Sequence, residues 1–417
     1  MFIFCICNAE YEPMVPHYVS RSLEPVLGQA VSEFPAVFLT GPRQSGKTTL
    51  LLHMFRGQYR YVSVEPPDVR SAAVEDPRGF LKRFPAPVII DEVQHAPDLI
   101  VYIKELIDSK RSRAGQYLLT GSQNLLAAER VTESLAGRAA VLRLLPLSRR
   151  EAMGQPRRPL AWEARQQLSK SGADRIWSEF LRGGYPELVA NRKRDTSRWH
   201  SSYIQTYLER DLRSLRQVGD LTQYQIFLRV LAARSAQLLS LTDVARELGV
   251  AVNTIKAWLS ILEATYQVTV VRPYFANIGK RLVKTPKVYF SDVGTLCHLV
   301  GLKDPEHAAA GPMGGAILET AVLSEIIRSL THQGLDPQIY FWRTAAGTEV
   351  DFIVDTGSGL VPLEVKLSST PRPAMASSIR AFQRDLGSLA MPGYVVHGGD
   401  VRLPLGPGAT ALPFADL

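Results

Sequence analysis

Along residues 16 to about 147, short uninterrupted apolar runs alternate with stretches whose apolar residues recur every three or four positions. The runs fall at 37–40, 61–64, 88–91, 117–120 and 139–145. Runs this short and this continuous fit strands buried on both faces. The stretches between them carry helical spacing, so the pattern predicts a doubly wound parallel α/β sheet. From 161 to 216 the pattern is helical, broken by Gly183-Gly184-Tyr185-Pro186. No account of that break emerges beyond a tight turn. Two short amphipathic segments then flank Gly249, and apolar strands follow at 268–271 and 287–290. Beyond 311 come an amphipathic helix and further strands. The units expected are a tail at 1–15, an α/β domain at 16–150, a helical region at 151–225, a smaller unit at 226–305 and a C-terminal α/β domain at 310–417. The Arg- and Pro-rich stretch from Leu147 to about Pro159 reads as a connection.

The first run leads into Gly41, Pro42, Arg43, Gln44, Ser45, Gly46, Lys47 and Thr48, then Thr49 and a helix. This is the strand–loop–helix context of a phosphate-cradling P-loop. The glycines let the backbone turn its N–H groups toward an anion, and the helix N-terminus favours negative charge. Lys47 can reach the β- and γ-phosphates of ATP, and the Thr48 hydroxyl can ligate Mg²⁺. The third run ends in Asp91 and Glu92. Beside a P-loop, Asp91 would hold the Mg²⁺ shell and Glu92 would orient the attacking water. The fourth run ends in Thr120, Gly121 and Ser122. A strand inserted between the first and third would place Thr120 or Ser122 where a γ-phosphate can be sensed. Arg138 follows Leu135-Ala136-Gly137. It is a candidate for stabilising charge on that phosphate, within its own chain or on a neighbour, and equally a surface or capping arginine.

The segments around Gly249 predict a winged helix-turn-helix. Thr242 can cap the first helix and Gly249 supplies the turn. Val252, Ile255, Leu259 and Leu262 share one face of the second helix, while Asn253, Thr254 and Lys256 point outward, where a recognition helix reads bases. The following hairpin holds Arg272, Lys280, Arg281, Lys284 and Lys287 with no acid between the first and last. It is either a phosphate-contacting wing or a solvated basic hairpin. The same alternatives, solvated faces or an anion-binding or inter-subunit surface, stand for Arg192, Lys193, Arg194, Arg198, Arg210, Arg213 and Arg216.

The chain has 417 residues, 46% of them hydrophobic, enough for several cores. Its net charge of +8 comes from 48 basic against 40 acidic residues, so distribution matters more than the sum. Three cysteines, Cys5, Cys7 and Cys297, are too few for a disulfide framework and fit a reducing, cytoplasmic compartment. Cys5 and Cys7 alone make no zinc site. No apolar run reaches membrane-spanning length. The apolar residues 1–7 lack the features of a signal peptide, and translation starting at Met14 is the expectation.

A second set of acids lies near the C-terminus. Glu319 sits on the predicted helix. Strands around 349–354 and 360–366 flank the turn at Gly357, which brings Asp351 opposite Glu364 with Lys366 on the same face. Two acids and a lysine so placed can bind a divalent metal that activates water against a phosphodiester. The arrangement resembles the PD-(D/E)xK restriction-endonuclease core, although no proline precedes Asp351. Glu319 matches the acid on that core's first helix.

From about Tyr18 to its end the chain resembles the bacterial and archaeal AAA-type ATPases that carry a C-terminal domain of formerly unknown function. The motifs that carry the resemblance are the P-loop, Ile90–Gln94, Leu119–Gln123, Leu135–Arg138, Gly183–Pro186, Tyr207–Asp211, and Glu349-Val350-Asp351 with Glu364-Val365-Lys366. The resemblance implies an AAA+ ATPase using ATP and Mg²⁺. A DNA partner, a protein partner without cleavage, or an ATP-gated nuclease all remain open, as does a homo-oligomer.

Overall fold

The computed structural model describes residues 18–109, 113–121, 134–163, 175–208, 221–274 and 285–417. Ser122, Arg210, Arg213, Arg216, Lys280, Arg281, Lys284, Cys5, Cys7 and Met14 lie outside the described residues.

Five parallel strands form the first sheet: β1 (Ala36–Thr40), β2 (Arg60–Ser63), β3 (Val88–Asp91), β4 (Tyr117–Gly121) and β5 (Ala139–Arg143). Their spatial order is β2-β3-β4-β1-β5. β4 therefore stands between the strand feeding the P-loop and the strand ending in Asp91, as the sequence predicts. The unbroken apolar character of β1 has a direct cause. Ala36 and Phe38 enter one hydrophobic core and Val37 and Leu39 enter another, on opposite faces of the sheet. Both faces are covered by helices, so neither parity of the strand can be polar.

The connection after Leu147 is more than a linker. Ser148 caps the helix Arg149–Ala152 in a capping box with Glu151. Glu151 is fully buried and meets Arg21 and His332 from distant parts of the chain.

The middle region holds helices Ile176–Arg182, Pro186–Ala190, Thr196–Tyr203 and Leu221–Ala233, then Leu241–Leu248 and Val252–Ala264 joined through Gly249, whose φ of 66° is left-handed. Ser240, not Thr242, caps the first of that pair, by accepting from the Asp243 amide at 3.3 Å. Val252 is 40% exposed and so leaves the core face expected of it; Ile255, Trp258, Leu259 and Leu262 fill that core. Val252 is the first residue of its helix, where no preceding turn covers it.

The second sheet, among the described residues, has nine strands in the order β13-β14-β12-β11-β10-β9-β7-β8-β6. These are β6 (Gln237–Leu238), β7 (Val268–Pro273), β8 (Lys287–Phe290), β9 (Gln338–Arg343), β10 (Glu349–Asp355), β11 (Leu360–Lys366), β12 (Gly393–His397), β13 (Leu403–Pro404) and β14 (Ala409–Pro413). β7 pairs in parallel with β9 through Arg272 and Tyr340, so one sheet runs across the 305–310 division expected from the sequence. The long helix Gly314–His332 packs against β11. β9, β10 and β11 are antiparallel, and β12 returns parallel to β11.

A candidate nucleotide site and a second acid cluster

The P-loop sits at the C-terminal end of β1. Gly41 adopts φ 146°, and a Cβ there would collide with the Leu144 carbonyl. Only glycine lets β1 leave the sheet so close to the chain following β5. Gly46 is left-handed at φ 93° and opens the helix Lys47–Phe55. Lys47 is buried, and its ammonium donates to the carbonyls of Gly41 (3.0 Å) and Pro42 (2.9 Å). Ser45 Oγ is buried in the loop with no hydrogen-bond partner. A cationic loop with an orphan hydroxyl and a helix N-terminus suits a phosphate group.

Asp91, at the end of β3, accepts from three hydroxyls. Thr48 donates to Oδ1 at 2.8 Å, Thr120 donates to the same oxygen, and Tyr61 donates to Oδ2 at 3.0 Å. Burial pushes this carboxyl up, while the Thr120 and Thr48 hydrogen bonds pull it back down. The carboxylate is thus held ready beside Thr48 with no cation pairing it among the contacts described. Thr48 and Asp91 are the residues that would hold a Mg²⁺ ion, which would supply a divalent charge there. Glu92 follows in the left-handed region at φ 57°; its amide donates to Thr120 Oγ1 at 3.0 Å, and its carboxylate accepts from Gln94 Nε2. Thr120 therefore ties the two acids together.

Two residues near this site escaped the sequence reading. Arg21 donates to the P-loop carbonyl of Ser45 (2.9 Å) and to the Leu145 carbonyl (2.6 Å), and pairs with Glu151 at 3.2 Å. Burial would raise Glu151, but His332 and Arg21 beside it hold the carboxyl well below its ordinary range. Pro186 is the other: its Cγ lies 3.6 Å from the position a Cβ on Gly46 would take. Pro186 stands in the glycine break already marked in the sequence, but nothing local marks Arg21 or shows that either acts on the P-loop from a distant segment.

Arg138 is not where a role in its own chain requires. It precedes the first residue of β5, and Ala139 is in register with Ala36 at the start of β1. The P-loop leaves the other end of that strand, about 16 Å away at the usual rise per residue. Arg138 instead makes a two-point pair with Asp108, at 2.6 and 3.1 Å.

The C-terminal acids do converge on one region, but around a lysine. The β10–β11 register pairs Phe352 with Leu363, which carries Asp351 opposite Glu364 as expected. Glu364 accepts from Lys366 at 2.5 Å and from Ser378 at 2.7 Å. Glu319 accepts from Tyr289 at 2.6 Å and from Lys287 at 3.1 Å. Lys287 also lies 2.5 Å from Glu349 and 3.9 Å from Asp351. Lys287 fits neither alternative read from the sequence, a phosphate-contacting wing or a solvated hairpin: it is 5% exposed and faces acids. Among the described residues no three His, Cys, Asp or Glu side chains stand where they could hold a metal ion. With the Lys287 ammonium seated among these acids, a divalent ion does not fit this arrangement.

On the other proposed surface, Asn253 and Lys256 are exposed, as the sequence predicts. Arg192, Lys193, Arg194 and Arg198 are exposed as well, with Arg194 paired to Glu187.

Comparison with known proteins places these observations. Residues 33–153 match a family model described as an AAA domain. Residues 174–306 and 314–417 match two domains of unknown function, DUF8612 and DUF4143. The uncharacterized proteins Rv2008c of Mycobacterium tuberculosis and Mb2031c of Mycobacterium bovis are each 33% identical over 390 residues, 93% of this chain and 82% of theirs. The chain belongs to their family. Its N-terminal unit is an AAA-type P-loop ATPase domain. Two solved structures also resemble the chain. The Walker-type ATPase PABY2304 of Pyrococcus abyssi is 16% identical, at a TM-score of 0.44 over 68% of this chain and 96% of that one. A Thermotoga maritima RuvB Holliday junction branch migration motor is 15% identical, at a TM-score of 0.28 over 60% and 85%. No helix among the described residues of this family member is long and apolar enough to cross a membrane.

Proposed function

We propose that this protein is a cytoplasmic, Mg²⁺-dependent ATPase that acts on or with DNA through a winged helix and a nuclease-like C-terminal domain. The observation that carries the ATPase reading is the hydroxyl set of Thr48 and Thr120 on Asp91, one residue from Glu92 and beside the lysine of the P-loop. Bound ATP and Mg²⁺ supply the phosphoryl group and a divalent charge to offset its oxygens. Thr48 and Asp91 would hold the metal. Lys47 would leave the Gly41 and Pro42 carbonyls for the β- and γ-phosphates, and Thr49 and the loop amides would cradle them. Glu92, held by Gln94, would orient the attacking water, with Thr120 positioned to report the γ-phosphate. Ser122 and Arg138 keep a place only as further candidates, Arg138 toward a neighbouring protomer.

The DNA contact rests on the exposed Asn253 and Lys256 of the second helix around Gly249. The nuclease-like reading rests on the order helix, three antiparallel strands, helix and parallel strand from Gly314 to His397. A regulatory ATPase that binds a protein partner without cleavage is favoured by two observations: β9 covers the β7 edge, and Lys287 faces inward. An ATP-gated nuclease through Glu319, Asp351, Glu364 and Lys366 finds no such support. ATP hydrolysis measured with and without DNA separates the first two: stimulation supports the DNA reading, and indifference to DNA supports the protein partner.

A further inference from the structure

We infer that Lys287 is a built-in counter-cation that closes the C-terminal acid cluster against divalent metals. The lysine comes from β8 and the acids from elsewhere, Glu319 from the helix Gly314–His332 and Glu349 and Asp351 from β10. Its ammonium lies 3.1 Å from Glu319, 2.5 Å from Glu349 and 3.9 Å from Asp351, buried against the Phe341 ring at 5.6 Å. Tyr289, two residues along β8 and therefore on the same face, gives its hydroxyl to Glu319 at 2.6 Å. One strand thus delivers both a charge and a hydrogen bond to the acid that would otherwise face an ion. Lys366 and Arg343 neutralise from the rim, at 2.5 Å from Glu364 and 3.4 Å from Glu349.

The electrostatics decide what else can enter. A buried carboxylate set needs positive charge nearby, or the acids protonate. Lys287 supplies that charge from within the chain. A divalent ion entering between Glu319 and Asp351 would meet a fixed ammonium at contact distance, a repulsion poorly screened in a buried site. It would have to displace Lys287, which is buried and paired with Glu319 and Glu349. Because β8 pairs with β7, the lysine also links the middle region to the acids of the C-terminal helix and β10. This inference holds whether or not the chain contacts DNA, and its readout is metal binding, not ATP turnover.

The test is Mn²⁺ binding followed by electron paramagnetic resonance on the full chain without nucleotide. Wild type and Asp351→Asn should bind Mn²⁺ alike, because Asp351 is already occupied. Lys287→Met keeps the aliphatic stem against Phe341 and removes the charge. It should gain a site at least tenfold tighter than any wild-type site that Asp351→Asn affects, and that gain should vanish in Lys287→Met/Asp351→Asn. Lys287→Arg, which keeps the charge, should gain nothing. A wild-type Mn²⁺ site that Asp351→Asn removes would overturn the inference, as would a folded Lys287→Met that gains none. Should Lys287→Met fail to fold, the comparison of wild type with Asp351→Asn still decides.

Discussion

Asp292 accepts a hydrogen bond from the amide of Gly184 at 2.7 Å, and the same carboxylate oxygen pairs with Arg328 at 3.1 Å. Gly184 also accepts from the Leu147 amide at 2.7 Å, while Arg328 donates to the Leu147 carbonyl at 3.0 Å. The glycine break in the helical region is thus a junction of four segments: the chain leaving the ATPase domain, the helical region, the end of β8 and the long C-terminal helix. Tyr185 anchors it by burying its ring among Trp199 and Tyr203, and Pro186 faces the P-loop.

A Cβ on Gly184 would stand 2.5 Å from Arg328 Nη1 and 2.6 Å from the Leu147 carbonyl, so backbone would have to move. Gly184→Ala is therefore expected to destabilise the chain by about 1–3 kcal/mol. Thermal melting checks this. Gly315 has open space around it, so Gly315→Ala is the matched control that should leave the melting temperature within a degree or so of wild type. An unchanged melt for Gly184→Ala would mean the junction is loose.

Glu92→Gln keeps a hydrogen-bonding side chain at φ 57° but removes the charge that orients water. It is expected to lower ATP turnover by about 10²-fold or more while leaving nucleotide affinity near wild type. Single-turnover hydrolysis alongside equilibrium binding of a fluorescent nucleotide makes the comparison. Normal turnover in Glu92→Gln would remove Glu92 from the chemistry.

Arg138 supports the opposite expectation. Its pairing with Asp108 at the far end of β5 predicts that Arg138→Ala keeps turnover within about twofold, as for an exposed ion pair. A large loss that deepens with protein concentration would reassign the arginine to a neighbouring protomer's site.

Burial and the neighbouring Asp351 raise Glu319 and Glu364 each to about 7, against an ordinary 4.5. An acid whose folded pKa is raised holds its proton more tightly when folded than when unfolded. Its stabilising contribution is therefore full below about pH 4.5 and is lost as pH rises toward 7. Glu364→Gln should flatten the fall in melting temperature across that window relative to wild type. Parallel curves would show that Glu364 titrates normally.

The sequence carried the candidate nucleotide site almost whole, because a P-loop, an acid-ended strand and an intervening strand are contiguous signals with local physical causes. It could place Thr48 and Asp91 in one site without knowing that Tyr61 joins them. The same reading failed at Lys287, which looked like one more positive charge on a hairpin. Its burial depends on β7 meeting β9, a pairing between segments far apart in the chain that no periodicity reveals. Arg21, and the contacts that the Gly183–Pro186 break makes with Asp292 and the P-loop, were silent for the same reason. The Asp351–Glu364 register was legible because a turn at Gly357 fixes it locally.

The most direct test of the account is the rate of Mg²⁺-dependent ATP hydrolysis by the full chain, with Lys47→Ala as the blank. The account predicts turnover that requires both Mg²⁺ and Lys47 and that rises on adding double-stranded DNA. The rise should be lost at moderate salt, and in Asn253→Ala/Lys256→Ala. Turnover unaffected by Lys47→Ala would contradict the ATPase assignment itself, and Lys47-dependent turnover indifferent to DNA would contradict the DNA contact alone.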